Sequence, residues 1–261
     1  MKVQKKAKYK KLLCWLLVDL AVAVILLALL LYRPGRYNPA DFWMNGDEPG
    51  RDWVTHPYLT HQVYPQIYNG AQLGEPFEVV ISQAGLNKVV ADSGWPKESE
   101  GIMLYAPEVL LVPDTVVFMG TANIKGVELV ITIELKPRVN EQQLLVLDVS
   151  KVKVGAMNIT PLAKITAKKM YAQRLSAEPI DTEDWQTKVA GALLNEEPFG
   201  HIFKIEDKKV KVDKITVKEG KLIIRLIPVP PGQKTLLEFT ELPAVTKAEY
   251  VPTTDVGRKR N

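Results

Sequence analysis

One cysteine and three histidines are all that 261 residues contain of the two residue types that most often carry metal and nucleophile chemistry. Cys14 lies inside a hydrophobic run, so the remainder of the chain can form no disulfide and must be held by core packing. Its length allows this, because ~150 residues bury about two thirds of the surface that their unfolded chain exposes. His56, His61 and His201 show no metal-ligand spacing to one another or to an acid. There is no Gly-x-Ser-x-Gly elbow, no P-loop and no glycine-rich dinucleotide fingerprint. The acid pairs Glu196-Glu197 and Glu206-Asp207 read as solvated turns. The expectation is a protein that is not an enzyme, with no catalytic residues, metal or cofactor. A pair of distant carboxylates that meet in space, as in a glycosidase, stays open at this level.

Acidic residues are missing from the first eighteen positions, whereas Lys2, Lys5, Lys6, Lys8, Lys10 and Lys11 precede a run with a single charge, Asp19, over residues 12–32. At about 1.5 Å per residue those 21 residues span roughly 31 Å, the thickness of a bilayer's hydrocarbon core. The run exceeds the ~7–15 residues of a signal-peptide core and ends in Leu-Tyr-Arg-Pro without a small-residue cleavage site. A retained single-pass anchor is expected, with residues 1–11 cytoplasmic because cationic flanks stay inside. With the six lysines and Asp19 set aside, 28 of 34 basic and 29 of 30 acidic residues remain. The outer part is thus electrically balanced and carries no nucleic-acid footprint. A disulfide-free outer domain favours a bacterial inner membrane. Asp19 has two readings, a contact to a partner inside the membrane or a charge tolerated near the cytoplasmic third.

Residues 33–75 are dense in proline and aromatics, among them Phe42, Trp43, Trp53, Tyr58 and Tyr64. Such breakers exclude one long helix, and a connector with one short helix near 58–69 is expected. It is expected to pack partly on the domain, and its rings have two readings, simple anchoring at the interface or a recognition role.

A folded domain is expected over 76–230, followed by a flexible tail over 231–261. Residues 77–81 read as a strand, with Ser82 capping a helix through Asp92 that turns Leu86, Val89 and Val90 inward. Strands follow near 108–112, 115–122 and 127–136. In the last, Val127, Leu129, Ile131, Ile133 and Leu135 share one face, and Glu128, Thr132, Glu134 and Lys136 share the other, the pattern of a sheet with one wet face. The apolar phase of 144–154 changes between Val149 and Val152, which predicts a bulge. Thr160 and Pro161 start a helix over 161–175, with Leu162, Ile165, Met170, Tyr171 and Leu175 on its apolar side and Lys164, Lys168, Lys169 and Arg174 on a solvated side. The sequon Asn158-Ile159-Thr160 reads structurally, since Pro161 hinders its use. A helix over 182–195 and strands near 201–206, 209–218 and 221–227 complete the domain, the last two joined at Glu219-Gly220. The class is α+β, with a curved antiparallel sheet wrapped on helices.

The runs Phe77 to Val90, Pro107 to Val112, Val127 to Pro137, Leu144 to Ile159 and the hairpin Val210 to Leu226 together resemble, in pattern and order, the half-barrel TULIP-like (tubular lipid-binding) families of membrane-anchored bacterial envelope proteins, including the YpmS-like group. About 150 of the 261 residues are covered, and no single motif is diagnostic. The resemblance implies a curved sheet with a lipid-accessible groove and no catalytic motif. The groove candidates are Leu129, Ile131, Ile133, Leu147, Leu162, Ile165 and Leu175, and the expected ligand is a lipid or a lipid-linked envelope intermediate. A scaffold that docks other envelope proteins through Asp19 and the aromatic connector is the alternative.

Overall fold

The computed structural model describes residues 2–39, 56–99, 101–177, 185–200, 202–229 and 239–241. An N-terminal helix α1 (Lys2–Leu30) is followed by a one-turn π-helix (Leu59–Val63) that runs into α2 (Tyr64–Leu73). Then come β1 (Phe77–Ser82), α3 (Gln83–Ala91), β2 (Lys97–Ser99), β3 (Ile102–Val112), β4 (Thr115–Ile124), β5 (Val127–Val139), β6 (Leu145–Val154) and β7 (Met157–Asn158). Helices α4 (Thr160–Ala177) and α5 (Trp185–Asn195) precede β8 (Ile202–Ile205), β9 (Lys208–Lys218), β10 (Lys221–Pro228) and β11 (Phe239–Glu241). The molecule is α+β, as its pattern predicts. The strands form two sheets, in the order β1-β10-β9-β8-β11 and β2-β3-β4-β5-β6-β7. All pairings are antiparallel except β11 with β8, so three residues of the expected tail return as an edge strand.

Local chemistry accounts for the elements. The Ser82 hydroxyl accepts the Gly85 N–H at 3.1 Å and starts α3. Val89 is buried, and Leu86 and Val90 pack on the core. Strand β3 begins six residues before the expected start near 108, because a bulge at Ala106, whose φ is +52°, carries the chain past Pro107. Strand β5 also outruns its expected end. Pro137 pairs only with β6, so its missing N–H falls where β5 is an edge. The phase change in β6 is a bulge: Val149 faces Leu135 and Lys151 faces Glu134, while the extra residue, Ser150, donates its hydroxyl to the Glu134 carbonyl at 3.1 Å. Thr160 does not cap α4 as expected. Its hydroxyl accepts from Val152 N–H at 2.8 Å, and Asn158 Oδ1 takes the Thr160 N–H instead.

The connector belongs partly to the domain. Tyr58 is buried, and its hydroxyl accepts from Ser82 N–H at 2.7 Å. His56 accepts the Tyr58 N–H at Nδ1, and its Nε2 lies 3.0 Å from Asp92, closing this corner. Packing, rather than interface anchoring, is therefore the role of the Tyr58 ring. Phe42, Trp43, Trp53 and His201 lie outside the described residues.

The six-stranded sheet has no wet face along its middle. Val130 and Thr132 are buried, although the alternation of β5 predicts their face to be solvated. What covers them is the segment leaving α1. The Tyr37 hydroxyl donates to the Ala106 carbonyl at 2.6 Å and lies 2.8 Å from Thr121 Oγ1, while Asn38 N–H donates to Glu108 at 2.7 Å. Burial raises the pKa of both Tyr37 and Glu108. Helix α1 ends at Leu30, short of Tyr32, where the sheet takes over its carbonyls: Ala156 N–H donates to Leu29 at 2.8 Å.

Candidate functional site

On the other face of the sheet, the pair α4–α5 roofs an apolar cavity of about 750 Å³. That lies within the roughly 300–1,000 Å³ of ordinary small-molecule sites. Its floor comes from β3–β6, with Val109, Val116, Phe118, Ile133, Leu135 and Val149 among the lining residues. Leu86 and Val90 of α3 close one side, and Ile215 and Leu222 of the β9–β10 hairpin close another. Every one of these side chains is hydrocarbon. Among the described residues that line it, charge enters only through Lys164, Lys168 and Glu196 on the roof.

The roof owes its volume to small residues. Ala163 and Ala167 face the cavity from α4, one turn apart, flanked by Lys164 and Lys168. Methyl side chains cannot reach the floor, and the two lysines lay their stems along the wall while their heads stay near solvent. Lys164 bonds Glu196 at 2.6 Å and Lys168 lies 3.3 Å from its other oxygen. Glu196 follows α5 in a left-handed conformation, with φ +59°. The hydrogen bond from Lys164, seconded by Lys168, holds its carboxyl below the usual carboxylate range. Next to it, Asn195 and Tyr171 both bond Glu197. The two helices are thus latched to each other by polar contacts.

Of the groove candidates, Ile133 and Leu147 line the cavity. Leu129 and Ile131 do not; they lie half-buried further along β5, toward its start. Leu162 and Ile165 are turned away from it and stand 65 % and 68 % exposed. The reason is the phase of α4. Its apolar side was expected to face the sheet, but the face with two alanines and two lysines does so. The Leu175 side chain lies outside the described residues. Asp19 is exposed on α1. The lysine pair was read as a solvated face, and only the Lys-x-x-x-Lys spacing opposite an acid after α5 could have signalled the latch. Among the remaining wall residues, Leu135 was legible from the alternation of its strand, and Leu86, Val90, Val189 and Leu193 from the apolar faces of α3 and α5.

A second, smaller and more polar cleft, of about 460 Å³, lies where the chain leaves α1. Tyr32, Pro34 and Arg36 face Thr132, Glu134 and Lys153 there, and Lys153 pairs with Glu134 at 3.4 Å. Comparison of the chain with protein-family models, with curated proteins and with solved structures finds no match.

Proposed function

We propose that this chain is a single-pass membrane protein of a bacterial envelope whose outer domain, a half-barrel of TULIP-like type, binds a lipid or lipid-linked intermediate in the cavity beneath α4 and α5. The observation that carries the reading is the cavity: hydrocarbon on all walls, with two cations and one anion confined to its roof. Such a lining recognises acyl chains, and the roof lysines suit an anionic headgroup. The anchor reading is supported by the window Leu13–Leu30, whose mean hydropathy is 2.8 and none of which is buried inside the protein. The lysines before it favour an inside N-terminus and an outside domain.

The test uses the full chain in vesicles that contain a phospholipid with a photoreactive diazirine in its acyl chain. Labelled peptides from β5, β6 and α4 are expected in addition to those of α1. Ala167→Trp, which fills the cavity from the roof, should abolish labelling of β5 and β6 and leave that of α1 intact. Labelling confined to residues 13–32 in the unaltered protein would sink the reading.

A further inference from the structure

We infer that the first turns of α4 are seated in the same membrane leaflet from which α1 emerges, with Leu162 and Ile165 as the inserted side chains. The inference rests on the anchor reading and is independent of what fills the cavity. Three observations carry it.

The first is position. Gly155 and Ala156 touch the last turn of α1: Ala156 N–H donates to the Leu29 carbonyl, and a Cβ on Gly155 would lie 2.3 Å from the Leu29 and Leu30 carbonyl oxygens. Those carbonyls end the apolar window, so the end of β6 sits at the bilayer boundary. Thr160 is tied back to Val152 by its hydroxyl at 2.8 Å, and Ile159 N–H donates to the Val152 carbonyl at 2.9 Å. Val152 is three residues from Gly155, roughly 10 Å of strand. Interfacial helices lie about 5–10 Å into the boundary zone, so the start of α4 is within reach of it.

The second is the order of residue types along the outward face. Leu162 and Ile165 come first, and Lys169 follows one turn later. An amphipathic entry followed by a cation matches a helix that touches the acyl region and leaves through the headgroups. The opposite face of the same turns carries Ala163 and Ala167, which line the cavity. One helix thickness would then separate leaflet from cavity.

The third is a second apolar point at the same end of the sheet. Gly155 N–H donates to the Val130 carbonyl at 2.8 Å. The β4–β5 turn lies just beyond Val130, and there Ile124 and Val127 are exposed on either side of Lys125 and Gly126. Two separate apolar tips flanking the emerging anchor fit a bilayer surface.

The experiment places an environment-sensitive fluorophore on single cysteines in the full chain, with Cys14→Ser as background. The protein is reconstituted in phosphatidylethanolamine–phosphatidylglycerol vesicles with or without a chain-nitroxide phosphatidylcholine. The sites are Ile165→Cys, Val24→Cys inside the anchor and Glu141→Cys at the opposite end of β5. Ile165 and Val24 are exposed in the protein, so neither change disturbs its packing. The expected result is blue-shifted emission quenched by the nitroxide lipid at 165 and 24, and neither effect at 141. Quenching at 24 with position 165 behaving like 141 overturns the seat and leaves the anchor standing. No quenching at 24 overturns the anchor reading and the seat with it. Quenching at all three positions also overturns the seat, because it puts the far end of the sheet on the bilayer.

Discussion

Thr132 is buried to 6 % exposure, and its hydroxyl has no partner among the described residues. An unsatisfied buried hydroxyl costs about 1–3 kcal/mol. Thr132→Val keeps the shape and removes that cost, so it should raise the urea midpoint of the folded domain. Tyr37 is the opposite case, because its hydroxyl meets both the Ala106 carbonyl and Thr121. Tyr37→Phe should lower stability by about 1–3 kcal/mol, read from the same urea curves. Gly85 admits no other residue: a Cβ there would fall 2.0 Å from the buried Tyr58 ring. None of these three roles shows in the sequence, since the residues that surround each site come from distant positions: Tyr37 meets Ala106, and Gly85 meets Tyr58.

At the scale of elements, the strands were the most legible part. Alternation places β1, β4, β5, β9 and β10 to within a few residues, and the bulge in β6 follows from its change of phase. Helix α3 was legible in extent and in rotation, since Val89 is buried and Leu86 and Val90 pack on the core, whereas α4 was legible in extent but not in rotation. The side of α4 that carries Leu162, Ile165 and Met170 is apolar by sequence, yet packing against α5 and β6 turns the alanine face inward instead. The latch between α4 and α5 gives a pH prediction. The Glu196 carboxyl is held below its unfolded-state pKa, so its pairing with Lys164 and Lys168 stabilises the hairpin above the ordinary carboxylate range. That contribution falls away as pH drops through the lowered folded value. Hydrogen-exchange protection of α4 and α5, corrected for intrinsic rates, should be level from neutral pH to the upper carboxylate range and decline below it. Glu196→Gln should remove that acid step while leaving protection of β5 unchanged.

The whole molecule is organised around the way the chain leaves α1. Residues 32–38 cross the outer face of the larger sheet and cover Val130 and Met119, so anchor and domain share a hydrophobic cluster with Tyr37 at its centre. Cutting the chain after residue 39 should therefore expose that cluster, and the fragment 40–261 should aggregate or unfold at lower temperature than 32–261. Equal melting temperatures for the two fragments would contradict this.

What the residues determined alone is the part set by local physics. A run of apolar side chains as long as a bilayer is thick, cations before it, strand alternation and the absence of staples and motifs all act over a few neighbouring positions. Only the tertiary structure decided which face of α4 looks inward, that the far face of the sheet is covered by the exit from α1, and that alanines leave a cavity where leucines were expected. Those outcomes depend on the volumes of side chains brought together from distant positions, and the period of a pattern carries no information about volume.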